Sequence, residues 1–305
     1  MSRHLLWSTE NFLNEDCTFW SSSEHSLYVH ENLYNERPSE PFRTEDDDIG
    51  EAGNPAWVCV DLGTYSGVGW NPTLACLFNH NLTQLEAAGD ELSLLGCDDG
   101  CPGESGACVW FSGFPGCTVD LTVSPCTGLS QPIENFKSLF RKFNCSPGHR
   151  YWLLNIIDQN NTDGYIEIGE WWLGEWNRFH TGSPDPNWVH LQPGREDGPI
   201  FYREDNETHY GQDWPAYFSE TEQLILTFKN VNNPCYVDEM HVFLRSVMAN
   251  GGRFVLIPDE RMPFCYYVII KNNKYAQRLV YGAEGELREW RFELKTLTQG
   301  AILLG

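Results

Sequence analysis

Five cysteines fall between residues 97 and 126, at Cys97, Cys101, Cys108, Cys117 and Cys126, in a stretch rich in glycine and poor in large apolar side chains. Three chemistries fit. Thiol pairs can oxidise to disulfides and staple a loop that has no core of its own. Alternatively, four thiolates can converge on zinc or an iron–sulfur cluster. Cys97, Cys101, Cys108 and Cys117 would then be the ligands, with the amides of Gly100, Gly106 and Gly116 donating to the sulfurs. The third reading is a set of unpaired small core residues. The total of 11 cysteines is odd and the first residues, MSRHLLWSTENF, lack the features of a signal peptide, which weighs against disulfides. The C-x3-C spacing of Cys97 and Cys101 departs from the C-x2-C knuckle of zinc sites. Cys59, Cys76, Cys145, Cys235 and Cys265 lie on or beside expected strands and read as core. Apart from that zinc or iron–sulfur alternative, no cofactor is expected.

A second constellation is aromatic. Trp171, Trp172 and Trp176 close the run DGYIEIGEWWLGEW. Consecutive tryptophans on a strand put one ring in the core and one outside, and the outer ring could stack on a sugar or on a neighbouring subunit. Glu167 and Glu170 cannot act as a glycosidase pair, because residues three apart on a strand face opposite sides. The nine histidines are scattered, and His180 and His190 share a loop without a carboxylate at metal spacing. The acid run Glu45 to Asp48 lacks the spaced pattern of a calcium loop. No G-x-S-x-G, Walker-type loop or H-E-x-x-H is present. No catalytic residue is therefore named, and the chain is expected not to be an enzyme.

The elements that would carry these groups are mostly short strands. In NPAWVCVDLG, Val58, Val60 and Leu62 alternate with Trp57, Cys59 and Asp61. Leu74, Cys76 and Phe78 share one face, with Ala75 and Leu77 on the other. Tyr151 to Asp158 reads as a buried strand. After a turn at Asp163-Gly164, Ile166, Ile168 and Glu170 point one way and Tyr165, Glu167 and Gly169 the other. Ile133, Phe136, Phe140 and Phe143 are spaced for a short amphipathic helix, with a strand as the alternative. Residues 177–220 are full of turn formers and read as a linker or arm, above all near Asp185 to Gly198. Beyond it, Leu224, Leu226 and Phe228 make a strand. Val237, Met240, Leu244 and Val247 have helical spacing ending at Asn250-Gly251, and Trp290, Phe292 and Leu294 alternate with Arg291, Glu293 and Lys295.

Composition sets limits. The 305 residues suffice for two domains, 41% are hydrophobic and 14% aromatic, and 27 Gly with 17 Pro suit many turns. A formal net charge of −23 disfavours nucleic acid and anionic membrane as partners. No apolar run is long enough to insert in a membrane. Without a signal peptide, synthesis in a cytosol is expected.

The strand Asn54 to Gly63 and the run Asp163 to Trp176 together resemble the opening and closing strands of a discoidin-like (coagulation factor type C) jelly roll. Asp61-Leu62-Gly63, Asn79-His80-Asn81-Leu82, Asp163 to Gly174, GGRFVLIPDE and EWRFELKTL follow in an order that resembles tailed-bacteriophage virion proteins. The resemblance implies an all-β chain: a discoidin-like β-sandwich over 1–176 with a Cys-rich insertion at 97–126, the linker or arm, and a tail-tube-like β-sandwich with one packed helix over 221–305. It implies a non-enzymatic virion component of the tail tip or baseplate, assembled in the host cytoplasm. Its partners would be copies of itself and other tail proteins. The alternative is a carbohydrate-binding module recognising a host-surface glycan. An oligomer held by aromatic surface is expected in the first case.

Overall fold

The computed structural model describes residues 6–51, 54–65, 68–85, 90–98, 117–122, 137–146, 148–178, 194–207, 213–231, 234–258, 265–282 and 285–297. Cys101, Cys108, Cys126, Ile133, Phe136 and the segment 185–193 lie outside them. In chain order the strands begin with β1 (Leu6–Ser8), β2 (Thr18–Ser21), β3 (Phe42–Arg43), β4 (Ala56–Asp61), β5 (Thr64–Tyr65) and β6 (Val68–Gly69). They continue with β7 (Leu74–Phe78), β8 (Glu91–Cys97), β9 (Cys117–Asp120), β10 (Ser138–Lys142), β11 (Tyr151–Ile157), β12 (Glu167–Ile168) and β13 (Glu170–Gly174). Last come β14 (Asn177–Arg178), β15 (Gly194–Glu207), β16 (Asp213–Val231), helix α1 (Pro234–Ala249), β17 (Arg253–Ile257), β18 (Tyr266–Gly282) and β19 (Gly285–Thr296). The all-β architecture with one helix is thus observed, and the chain divides into two compact units.

One unit, residues 10–177 with 257–265 and 301–305, is a β-sandwich. A five-stranded sheet, β2-β4-β11-β8-β9, faces a three-stranded sheet, β10-β7-β13. The alternation read from the sequence explains the facing. Val58, Val60, Leu92, Leu94, Trp152, Leu154 and Ile156 of the larger sheet meet Ala75, Leu77, Leu139, Trp171 and Leu173 of the smaller one in a single core. Ile166 and Ile168 belong to that core, as their spacing requires. The outer face of the larger sheet carries a smaller apolar cluster of Cys59, Leu95, Cys97, Tyr151 and Leu153, flanked by Trp20 and Trp57.

Two local expectations change. Ser138–Lys142 is strand β10, antiparallel to β7 in the register Phe140↔Cys76, and not part of a helix. The spacing of Phe140 with Phe136 and Phe143 outside the strand fits a helix, but the strand alternative holds because pairing with a buried central strand satisfies the β10 backbone. Glu170 does not share the facing of Ile166 and Ile168. The strand breaks at Gly169, whose N–H donates to the Phe78 carbonyl and where a Cβ would meet the Pro38 carbonyl oxygen. After that break Trp171 and Leu173 take the core positions, and Glu170 and Trp172 turn to the other face.

The other unit, residues 1–9, 178–256 and 266–300, is built on a seven-stranded sheet, β14-β1-β17-β18-β19-β16-β15, with α1. Pro234 opens the helix, where its missing N–H costs nothing. Met240, Phe243, Leu244 and Val247 form its buried stripe, and Phe243 packs edge-on against Phe254 and Phe292 at 5.2 and 5.9 Å. Gly251 and Gly252 (φ 65 and 86) end it, with the Gly252 N–H donating back to the Val247 carbonyl. Trp290, Phe292 and Leu294 are buried along β19, as their alternation implies. Within the span read as a linker or arm, Gly194–Glu207 is a strand, antiparallel to Asp213–Val231, which begins in that span and runs on through the expected strand at Leu224 to Phe228. Among the described residues no helix is long and apolar enough to cross a membrane.

Candidate functional site

At one end of the five-stranded sheet, β2 begins, β4 ends, β11 begins and β8 ends. The cross-strand row there runs Thr18↔Asp61, Asp61↔Tyr151 and Tyr151↔Cys97. Beside this row opens a cleft of about 280 Å³, lined by residues 10–12, 14, 16–18, 61–63 and Trp70.

Its walls are fixed by backbone contacts. Asn11 is clamped to β13: its Nδ2 donates to the Trp171 carbonyl at 3.0 Å and its Oδ1 accepts from the Leu173 N–H at 2.9 Å. That holds the Phe12 ring, whose centroid lies 4.8 Å from that of Trp70. Trp70 is itself held by a bridge to His149, whose N–H donates to the Trp70 carbonyl at 2.9 Å. Asn14 caps the turn leading into β2, its Oδ1 accepting from the Asp16 N–H at 2.9 Å. Phe12 is buried and Trp70 half-buried, so the pair presents one partly open aromatic surface.

In the same cleft, charge is organised around Asp61. Its carboxylate accepts from both Nε (2.8 Å) and a terminal nitrogen of Arg150, and from the Gly63 N–H at 2.7 Å. Gly63 has φ 69, a conformation that lets its N–H turn back onto the carboxylate. Burial alone would push the Asp61 carboxyl up, but the Arg150 guanidinium and the Gly63 N–H outweigh it and hold the group below the usual carboxylate range. Asp61 is thus a fixed anion and a poor proton donor. Glu10, Asn14 and Asp16 are exposed at the rim. Cys17 lies in the same wall, its thiol donating to the Phe12 carbonyl at 3.4 Å, and burial pushes it up. An apolar ring beside a bidentate ion pair and several fixed acceptors can grip a ligand with an apolar face and a hydroxyl-bearing edge.

The residues singled out from sequence are placed differently. Trp171 and Trp172 are 0% and 3% exposed, so neither ring is open to a sugar or a subunit in this chain. The expectation of one outward ring fails because both faces of the three-stranded sheet are buried, Leu74, Cys76, Phe78 and Phe140 lining the second. Trp176 is half-buried beyond β13, with the Lys142 ammonium 4.9 Å from its ring centre.

Of the cysteine cluster, Cys117 is bonded to Cys145 across 28 residues of sequence, and Cys97 is also in a disulfide. On a chain-entropy basis a loop of that length is worth about 3–4 kcal/mol. Cys59 and Cys145, read as core cysteines, are buried and disulfide-bonded as well. Among the described residues no three His, Cys, Asp or Glu converge as metal ligands. Glu167 is half-buried, and burial raises its carboxyl against the pull of Arg43.

The cleft residues were missed because they come from three separate stretches of the chain, with Arg150 behind Asp61 from a fourth. The available signals were an acid at a strand end, Asp61, and a lone tryptophan among turn formers, Trp70 in SGVGWNP.

No protein-family model and no curated protein matches the chain. The solved structures it is similar to include carbohydrate-binding modules with a discoidin-like β-sandwich. One is CBM32-1 of a family 31 glycoside hydrolase from Clostridium perfringens, 12% identical over 52% of this chain and 94% of that one, with a TM-score of 0.34. A second is the family 32 module of C. perfringens NanJ, in complex with galactose: 11% identical, covering 53% and 94%, TM-score 0.31. A third is chitosan-binding module 1 of a chitosanase/glucanase from Paenibacillus sp. IK-5: 10% identical, covering 54% and 98%, TM-score 0.33.

Proposed function

We propose that the sandwich unit is a carbohydrate-binding module whose cleft between Trp70 and Asp61 takes a sugar ring. The observation that carries this reading is the Trp70–Phe12 surface set beside the Arg150-locked carboxylate of Asp61. A pyranose has one face of C–H bonds and an equator of hydroxyls. The aromatic surface fits the first, while Asp61, Asn14 and the rim carboxylates fit the second. The reading is of binding without turnover. Asp61 is held ionised by Arg150, so it does not supply the protonated acid that glycoside cleavage needs. No observation in the fold, the cleft or the comparisons favours a phage-tail role.

The test is a glycan array with the full chain, followed by titration calorimetry of the best ligand. Trp70→Ala is expected to weaken binding about tenfold, the scale of one lost aromatic contact, in a protein that still unfolds cooperatively at the assay temperature. No retained glycan, or equal binding by Trp70→Ala, would overturn the reading.

A further inference from the structure

Cys76 and Cys265 are thiols in a chain where Cys59, Cys97, Cys117 and Cys145 are all in disulfides. Cys76 sits in the middle of β7 and points away from the inter-sheet core, opposite Phe140 of β10. Cys265 reaches the same face from a distant part of the sequence. Its carbonyl accepts from the Ser138 hydroxyl at 2.6 Å, and its sulfur donates to the Leu139 carbonyl at 3.6 Å. These two contacts hold the Cys265 sulfur against Leu139, one residue from the Phe140 that pairs with Cys76, and burial together with the neighbouring Cys265 thiol pushes the Cys76 thiol well up. Both residues are buried, at 0% and 1% exposure.

We propose that Cys76 and Cys265 are a disulfide-forming pair that pins the chain at residue 265 to the three-stranded sheet. Bonded cysteines persist where the chain meets an oxidant, and four described cysteines here are bonded. Two thiols held at adjoining positions of β10 and β7 would meet the same oxidant. The bond forms by two exchanges with a low-molecular-weight disulfide such as oxidised glutathione. One thiolate attacks it, giving a mixed disulfide and one reduced thiol. The second cysteine then displaces the other half as a second reduced thiol. The protein loses two hydrogens and the oxidant gains them. Once both sulfurs are covered they are out of reach of solvent, so the exchange belongs to folding. Cys17 differs: it is half-buried, and its thiol is engaged with the oxygens of Phe12 and Asn14.

The experiment is refolding of the reduced full chain in a glutathione redox buffer, alkylation of remaining thiols under denaturing conditions, and peptic mapping by mass spectrometry at acid pH. The expected result is a linked peptide pair containing Cys76 and Cys265, lighter by two hydrogens than the separate peptides, alongside the Cys117–Cys145 pair, with Cys17 alkylated. A Cys76→Ala/Cys265→Ala double variant should fold and show a smaller fall in melting temperature on adding reductant than the wild type. Recovery of Cys76 and Cys265 both alkylated, or an equal reductant effect in the double variant, would overturn the proposal.

Discussion

Glu170 is the least comfortable group in the sandwich. It is 1% exposed, and neither carboxylate oxygen has a hydrogen-bond partner. Burial therefore pushes its carboxyl well above the usual range, and the folded protein holds it protonated where the unfolded chain has it ionised. The sign follows from proton counts. Between the unfolded pKa, near 4.5, and the raised folded value, the native state binds the extra proton, so stability is fullest below the unfolded pKa and falls as pH rises. The slope is about a factor of ten in the folding constant per pH unit. Glu170→Gln keeps the shape and removes the titration. Its advantage over the wild type should be small near pH 4 and grow about tenfold per unit above it until the folded pKa is reached. Denaturant unfolding of both proteins at pH 4, 5, 6 and 7, followed by tryptophan fluorescence, measures this. Parallel pH profiles for the two proteins would refute the reasoning, because they would mean that Glu170 has the same pKa folded and unfolded.

Other substitutions test the rest of the unit. Ile168→Asp should cost about 3–5 kcal/mol and unfold the sandwich, while Glu167→Ala next to it should be nearly silent; equal melting of the two would mean the facing of β12 is wrong. Asp61→Asn removes a carboxylate whose folded pKa is depressed, so stability present above the unfolded pKa and lost as pH falls through the folded one should disappear. Acid titrations of the variant and wild type should converge at low pH and separate at neutral pH. Gly169→Ala drives a methyl into the Pro38 carbonyl and the Asn79 side chain and should destabilise by about 1–3 kcal/mol, read as a lower denaturation midpoint with an unchanged slope.

The strands were legible wherever one face alone carries the apolar residues. Val58 and Val60, Ile166 and Ile168, and Trp290, Phe292 and Leu294 all sit where their alternation puts them. Legibility failed where a strand is buried on both sides. In β13 every residue is buried, so period two carries no information about which tryptophan faces out, and none does. It failed again in β10, where Phe140 and Phe143 fit a helical interval and only the pairing with β7, some sixty residues earlier in the chain, decides otherwise. The cleft was invisible for a related reason. Asp61 and Arg150 become neighbours through the pairing of β4 with β11, Asn11 through its clamp to β13 and Trp70 through its bridge to His149, and no local pattern encodes those adjacencies. Cys145 looked like any small core residue until its partner Cys117 was brought to it.

The cleft-end row reaches Cys97 on β8, and one residue back Gly96 pairs with Cys117, so β9 begins beside the end of β8. The two anchor points are set by the sheet pairing and by the Cys117–Cys145 bond. Closing a loop twice as long across fixed ends costs only about 0.6 kcal/mol more. This makes the β8–β9 connection a natural graft point: foreign peptides inserted after residue 97 would be displayed from the same rim as the cleft, while the inter-sheet core that folds the unit is left untouched.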